Sequence, residues 1–438
     1  METEQIYAEG MGRMIQCATV SQRDQSFDDI EFCKLRAVMA ELFPLLHAKA
    51  ERTIFSDDCW FYRLPGKDSS RRIMLMSHHD VVGADDADQW AHPPFSGEMH
   101  DGAVWGRGTV DTKGPLYAEF RAIEELLQGG WTPPWDLYLL SSHNEEYGGD
   151  GCPKAAAWCE EHGITFDFIL DEGGAVIAAP MPGISKKCAM IAVHEKGRCK
   201  VRCTAAEEAF HPGLAPKSDT PVVRMAKFMA NVTANPPFIK RLYPEVKAMF
   251  TALAPHMSFP LSFVFSHLGL FGGLLLKLMP KLNPQAGAMV GTQCAFNAVE
   301  GSSAAHSCTA EVFFRCVREE DLEADLKAFQ SVADKYGVTV EVVDNEYHPP
   351  ADLNSAALSY VKDCVAAVFP EVACSPFLLP AGTDARQFSR QCRAVLRFAP
   401  IGLTPAQFAS VHGRDENLNV DALGKAVVFY KYLLEPYE

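Results

Sequence analysis

Apolar residues recur along this chain in two rhythms. Between residues 28 and 50, Phe32, Leu35, Met39, Leu42 and Leu46 fall on one stripe at three- and four-residue spacing, which predicts an amphipathic helix. The block RRIMLMSHHDVV, about 72 to 82, predicts a strand. KGPLYAEFRAIEELLQ predicts a helix from about 113 to 128, stopped by the glycines at 129 and 130. WDLYLLSSH then predicts a buried strand, AAAWCEEHG a helix with its glycine stop, and DFILDEGG a strand with a turn. Strand, helix, strand, helix, strand is the order of a mostly parallel sheet with helices packed on its faces.

From about residue 198 the order changes. GRCKVRCTAA predicts a strand and DTPVVRMAKFMANV a helix. An apolar stretch follows, then the strands GTQCAFNAV and SCTAEVFFRCV, the helix REEDLEADLKAFQSVADKYG and the strand VTVEVVDN. Acids open that helix and a glycine closes it, in keeping with the helix dipole. The series strand, helix, strand, strand, helix, strand is that of a ferredoxin-like sandwich. The expected fold class is therefore α/β. Its mostly parallel-sheet domain spans 1–197 and 346–438, and a smaller ferredoxin-like α+β domain, 198–345, interrupts it.

The stretch FPLSFVFSHLGLFGGLLLKLM, 259 to 279, is long enough to span a bilayer. Pro260, His267, Lys277 and three glycines break it, so the expectation is a helical hairpin near 250–282 with no spanning segment. If exposed, its apolar face would suit an acyl chain, a partner or a membrane surface.

Composition narrows the classes. Of 438 residues, 48% are hydrophobic and 22% charged, the balance of an ordinary globular chain. The net charge of −16 opposes phosphate backbones, which excludes nucleic acid as the expected partner. The 14 cysteines contain no CxxC pair, against a zinc knuckle. The N-terminal METEQIYAEGMGRMIQ lacks a basic-then-apolar signal, so a cytoplasmic protein with reduced, buried cysteines is expected.

The chemistry gathers where strands end, as it does in open α/β sheets. His78 and Asp80 lie in SHHDVV, Asp111 in GRGTVD, Glu145 and Glu146 in HNEEYGG, Asp171 in LDEGG, and His412 in VHGRDE. Taken singly each has a plain reading as a strand end or a turn former. Two adjacent carboxylates after a buried strand repel each other and resist desolvation. One account is that one binds a cation and the other moves a proton. No GxSxG or GxCxG elbow points to a serine or cysteine hydrolase.

Taken together, SHHDVV, GRGTVDTKG, NEEYGG, LDEGG and VHGRDE resemble the dizinc peptidases that include aminoacylase, carboxypeptidase S and succinyl-diaminopimelate desuccinylase. The resemblance covers nearly the whole chain and implies two divalent metal ions, zinc first, with cobalt or manganese as substitutes. It implies that His78 and Asp171 bind one ion, Glu146 and His412 the other, and that Asp111 bridges them. Asp80 would orient His78, and Glu145 would be the general base. The peptide bond after Asp111 would be cis. The inserted domain would serve as a lid or dimerisation domain and pair two copies of the chain.

In EAFHPGLAP the family's glycine-histidine-serine motif keeps only its histidine, His211, as the expected stabiliser of the oxyanion. A serine replaces the usual asparagine in EGSSAAHSC. Arg315 and the loop residues Gly382, Thr383 and Arg386 are the expected grip on a substrate carboxylate, against the plain reading of an ion pair. His79, His143, Cys152 and Cys159 are read as packing residues. The apolar hairpin resembles an insertion in the carboxypeptidase S branch, which includes hydrolases of N-acyl amino acids. The expected activity is hydrolysis of an amide or peptide bond in a small molecule or short peptide with a free carboxylate. A dipeptidase, or a non-catalytic relative that binds ligand, is the alternative.

Overall fold

The computed structural model describes residues 2–23, 27, 29–207, 219–282, 284–302 and 306–435. A ten-stranded sheet forms its larger part, and the centre of that sheet is parallel. Asp68–His78 pairs in parallel with Trp135–Ser142 on one side and Phe168–Asp171 on the other, and Phe168–Asp171 pairs in parallel with Val395–Arg397. All eight residues of Trp135–Ser142 are buried. That follows from a strand covered on both faces, and it explains the unbroken apolar run.

Neighbouring residues in a strand point to opposite faces. Phe61 meets Trp158 of the helix Gly151–Glu161, while Tyr62 meets Phe120 of the helix Lys113–Gln128. Helices therefore cover both faces. Lys113–Gln128 forms with the bounds that its sequence predicts, and Gly130 follows it at φ 80°, a left-handed conformation that glycine adopts without strain. The stripe from 28 to 50 is not one helix but two, Asp29–Leu42 and Pro44–Lys49. Pro44 disfavours a helical conformation at Phe43, which sits at φ −132°. The buried carboxylate of Glu124 accepts the free N–H groups of Leu45 and Leu46 in the second helix.

The smaller sheet is antiparallel. Its strands run Gln293–Ser302, Ser307–Cys316, Gly197–Ala206, Val338–Glu346 in spatial order, the order of a ferredoxin-like sheet. Along Gly197–Ala206 the alternation is clean: Cys199, Val201, Cys203 and Ala205 are buried, and Arg198, Lys200 and Arg202 face the other side. The buried set packs with Phe228, Phe314 and Phe329 into a core of its own. All 14 cysteines are free, and all but Cys33, Cys294 and Cys374 are buried.

The apolar stretch forms the helices Leu261–Ser266 and Leu268–Leu282. Phe265, Leu275 and Met279 are buried against Tyr243 and Phe250, while Phe259, Phe263, Leu270 and Leu274 are exposed. Among the described residues no helix is long and apolar enough to cross a membrane.

Candidate active site

His78 closes its strand at the carboxyl edge of the parallel sheet. Its Nδ1 lies 3.3 Å from Asp80 Oδ1 and 3.0 Å from the Asp80 carbonyl, which leaves Nε2 aimed at Asp111 Oδ1, 2.9 Å away. Asp80 also accepts the backbone N–H groups of Glu145 and Glu146 at 3.2 Å each, and the hydroxyl of Ser21. One buried carboxylate thus sets both a ring orientation and the start of the glutamate loop. A carboxylate so placed restrains the imidazole ring beside it.

Asp111 ends the loop GRGTVD, and the peptide bond after it is cis. Buried Glu416 shapes that loop. Its Oε1 accepts the N–H groups of Gly108, Val110 and Asp111 at 3.2, 2.8 and 3.2 Å, and its Oε2 pairs with Arg107 at 2.8 Å. Gly108 sits at φ 89°, and a Cβ there would lie 2.8 Å from Val81. His412 approaches from the C-terminal loop, its Nε2 3.0 Å from Asp111 Oδ2 and 3.1 Å from Glu146 Oε2. Each oxygen of Asp111 therefore faces a different histidine. The ligand atoms of His78, Asp111 and Glu146 lie within 4.8 Å of one another.

Asp171, the expected metal ligand, has both carboxylate oxygens engaged. Its Oδ1 accepts the N–H of Glu172 and its Oδ2 the N–H of Ala385, both at 2.9 Å. The next residue, Glu172, lines the cavity beside Asp111, Glu145, Glu146 and His412, and Asp171 does not. The strand Phe168–Asp171 ends at Asp171, and Glu172 lies in the bend that follows it.

The charges are crowded. Burial pushes Glu145 well above the ordinary carboxylate range, and Asp384, Asp80 and Glu146 add repulsion. Burial likewise raises Glu146, and it raises Glu172 strongly, with repulsion from Asp111. Burial opposes ionisation of Asp111, but hydrogen bonds with His412 and His78 hold its carboxyl below the usual range. The bond to Asp111, with that to Glu146, pushes His412 up to about 10. Buried carboxylates that resist ionisation beside two imidazoles would be relieved by a divalent cation. Carboxylate and imidazole donors suit zinc, cobalt and manganese.

Beside this cluster a cavity of about 570 Å³ opens. The acids and His412 line it, together with Met181, Met190, Met249, Met289 and Phe377. Gly382 and Thr383 line it too, but Thr383 uses its N–H and hydroxyl to hold Glu195, at 3.0 and 3.1 Å. Glu195 pairs in turn with buried Arg397 at 3.1 Å. A Cβ at Gly382 would lie 3.4 Å from Arg386, 3.4 Å from Glu195 and 3.5 Å from Arg315, so two guanidinium groups and a carboxylate stand beside that glycine. Arg386 donates to the Thr383 carbonyl at 2.6 Å and lies 3.4 Å from Glu346. His211 lies outside the described residues. His79 stacks on Trp60 at 4.0 Å and pairs with Ser141, and His143 packs on Phe27 and Phe32. The sequence reading did not single out Glu172, Glu416, Arg107, Glu195 or Arg397.

The family described as "Peptidase family M20/M25/M40" matches residues 74–435. Among curated proteins, "Probable carboxypeptidase S-like 2" of Dictyostelium discoideum is 28% identical over 418 residues, covering 93% of this chain and 80% of that one. The human "N-fatty-acyl-amino acid synthase/hydrolase PM20D1" is 27% identical over 439 residues, covering 98% and 87%. Among solved structures, an M20 family metallo-carboxypeptidase from Sulfolobus solfataricus superposes with a TM-score of 0.68 at 17% identity, covering 98% of both chains. A dinuclear metal binding peptidase of the same family from Bacillus subtilis gives 0.59 at 12% identity, also covering 98% of both.

Proposed function

This chain belongs to peptidase family M20/M25/M40, a family of hydrolytic enzymes, and from that premise we propose that it is a dimetal amidohydrolase of N-acyl amino acids with an apolar acyl group. A cavity lined by both the acidic cluster and four methionines is the observation that carries this reading. The name of the human relative agrees with it, as does the dinuclear centre named for the B. subtilis peptidase.

His78, Asp111 and Glu172 would hold one ion, and Asp111, Glu146 and His412 the other. We assign Glu172 the place expected of Asp171 because Glu172 lines the cavity, whereas Asp171 accepts two backbone N–H groups. When bound, such ions lower the pKa of water to about 7 and polarise a carbonyl. Glu145 stands in the same cavity and is not among these ligands. It takes the proton of the attacking water and delivers it to the nitrogen as the amide C–N bond breaks. Its raised affinity for a proton suits the second half of that task. The products are a carboxylic acid and an amino acid. Asp80 holds His78 and the glutamate loop so that neither must reorganise during the reaction. Arg315 and Arg386, beside Gly382, would supply positive charge for the substrate carboxylate.

The name of the Dictyostelium relative favours a second reading, removal of a C-terminal residue from short peptides with apolar side chains. A substrate panel separates the two. Purified protein supplied with zinc, cobalt or manganese is assayed on N-acyl amino acids of increasing chain length and on dipeptides. The proposal expects kcat/KM to rise with acyl length and activity to vanish with a chelator. Faster turnover of peptides at every chain length would transfer the assignment to the second reading. Glu145→Gln should lower kcat roughly 100-fold or more with metal content unchanged, the scale of a lost general base.

A further inference from the structure

Apart from Lys277 and Lys281, every residue of the helix Leu268–Leu282 is apolar, glycine or proline. A helix of that composition is ordinarily buried all round. Here protein covers one side. Leu275 and Met279 enter the core with Phe265, while Leu270, Leu274 and Leu278 stand exposed at four-residue spacing, Leu270 by 75%. On the shorter helix before it, exposed Phe263 packs on Phe271 at 5.9 Å between ring centroids, and Phe259 just ahead is 82% exposed. The two helices thus share one apolar patch, the mark of an interaction surface. Its charge opposes that of the rest of the molecule. Between Glu245 and Glu300 there is no acidic residue, in a chain of net charge −16, and Glu245 itself is buried and paired with Arg318. Lys277 and Lys281 are exposed, and each lies seven residues, two helical turns, beyond Leu270 or Leu274 on the same face.

We propose that this face docks on the surface of an anionic lipid bilayer. The leucine and phenylalanine side chains would enter the acyl boundary, and the two lysines farther along the helix would reach the phosphate headgroups. The helix has 15 residues. That makes about 22 Å of length, short of the ~30 Å hydrocarbon core, so it lies in the interface and does not span. Charge selects this occupant over a second copy of the chain. A two-fold contact between copies would set lysines against lysines, whereas a bilayer sets phosphates against them. The negative charge elsewhere on the molecule is largely screened beyond about 8 Å at physiological salt, so the lysines set the sign at the contact.

The patch adjoins the cavity through one loop. Ser258 donates its N–H to the Gly183 carbonyl at 2.9 Å, and a Cβ at Gly183 would lie 2.8 Å from Leu261. Pro180 and Met181 of the same loop line the cavity. A docked bilayer would lie one loop from the cavity. That it supplies acyl substrates rests on the N-acyl reading proposed above; the docking itself does not.

The test is co-sedimentation of the full-length protein with vesicles of phosphatidylcholine alone and of phosphatidylcholine mixed with phosphatidylglycerol. Wild type should bind the mixed vesicles about tenfold or more tightly, since each lysine near an anionic surface contributes roughly fivefold. The double variant Leu270→Gln, Leu274→Gln should bind the mixed vesicles about tenfold or more weakly than wild type. Lys277→Gln with Lys281→Gln should lose the preference for anionic lipid. Glutamine is a good helix former and all four positions are exposed, so thermal melts of both variants should match wild type. Wild type that stays in solution with both vesicle types would overturn the proposal, as would equal binding to the two, or a leucine variant that binds like wild type. Sedimentation velocity over a range of concentrations adds one more result. Dimerisation of wild type that the leucine variant lacks, without vesicle binding, would overturn the proposal in favour of a second copy. No step reads hydrolysis, so failure here and failure of the proposed reaction are separate results.

Discussion

Asp171 and Glu172 are neighbours with different environments, and that contrast makes the proposed ligand set testable. Asp171 accepts two backbone N–H groups, one on each oxygen. Glu172 lines the cavity. Glu172→Gln should lower metal content by about one ion per chain, because an amide is a weaker ligand than a carboxylate. Asp171→Asn should keep its ions and lose stability instead. An asparagine has one acceptor oxygen, so one buried N–H is left unpaired at a cost of about 1–3 kcal/mol. Elemental analysis and denaturant titration read the two effects separately. Metal loss in Asp171→Asn and none in Glu172→Gln would return the role to Asp171. The paired letters DE were legible in the sequence, but their directions were not, since Glu172 lies in the bend beyond the strand.

Among the elements, the helix Pro244–Leu253 and the residues after Pro284–Ala288 reach across to the catalytic strands and bring Met249 and Met289 to the cavity wall. Apolar walls without polar groups discriminate by volume, about tenfold or more for a misplaced methylene. Met289 is half-buried and tolerates change better than fully buried Met249. Met289→Trp should lower kcat/KM for long acyl chains about tenfold or more and leave short-chain substrates within about twofold. An equal loss for all chain lengths would mean that the acyl group lies elsewhere. The helices themselves followed from spacing. Their meeting with the catalytic sheet did not, because an apolar stripe states that it is buried but not against what.

Across the whole molecule, the loop that ends in Asp111 depends on Glu416, 305 residues away. Arg107 and Glu416 are 3% and 0% exposed and pair at 2.8 Å. Arg107→Met should destabilise the protein by about 3–5 kcal/mol, because it strands a buried carboxylate. Urea unfolding in excess chelator measures this apart from any change in metal binding. A loss under about 1 kcal/mol would show that Glu416 is neutralised by other means. VHGRDE drew attention through its histidine, but only folding sets the glutamate four residues later beneath the opposite loop.

The sequence by itself determined the local elements, the parallel and ferredoxin-like orders, and most of the acids and imidazoles at strand ends. Those are properties of spacing, period and residue type, which are written along the chain. The tertiary structure decided which neighbour faces the cleft, which buried ion pairs brace the loops, and what lines the cavity. It also placed Arg315 and Arg386 beside Gly382, with Thr383 holding Glu195. These depend on contacts between distant segments, and a linear pattern carries no record of which distant segments meet.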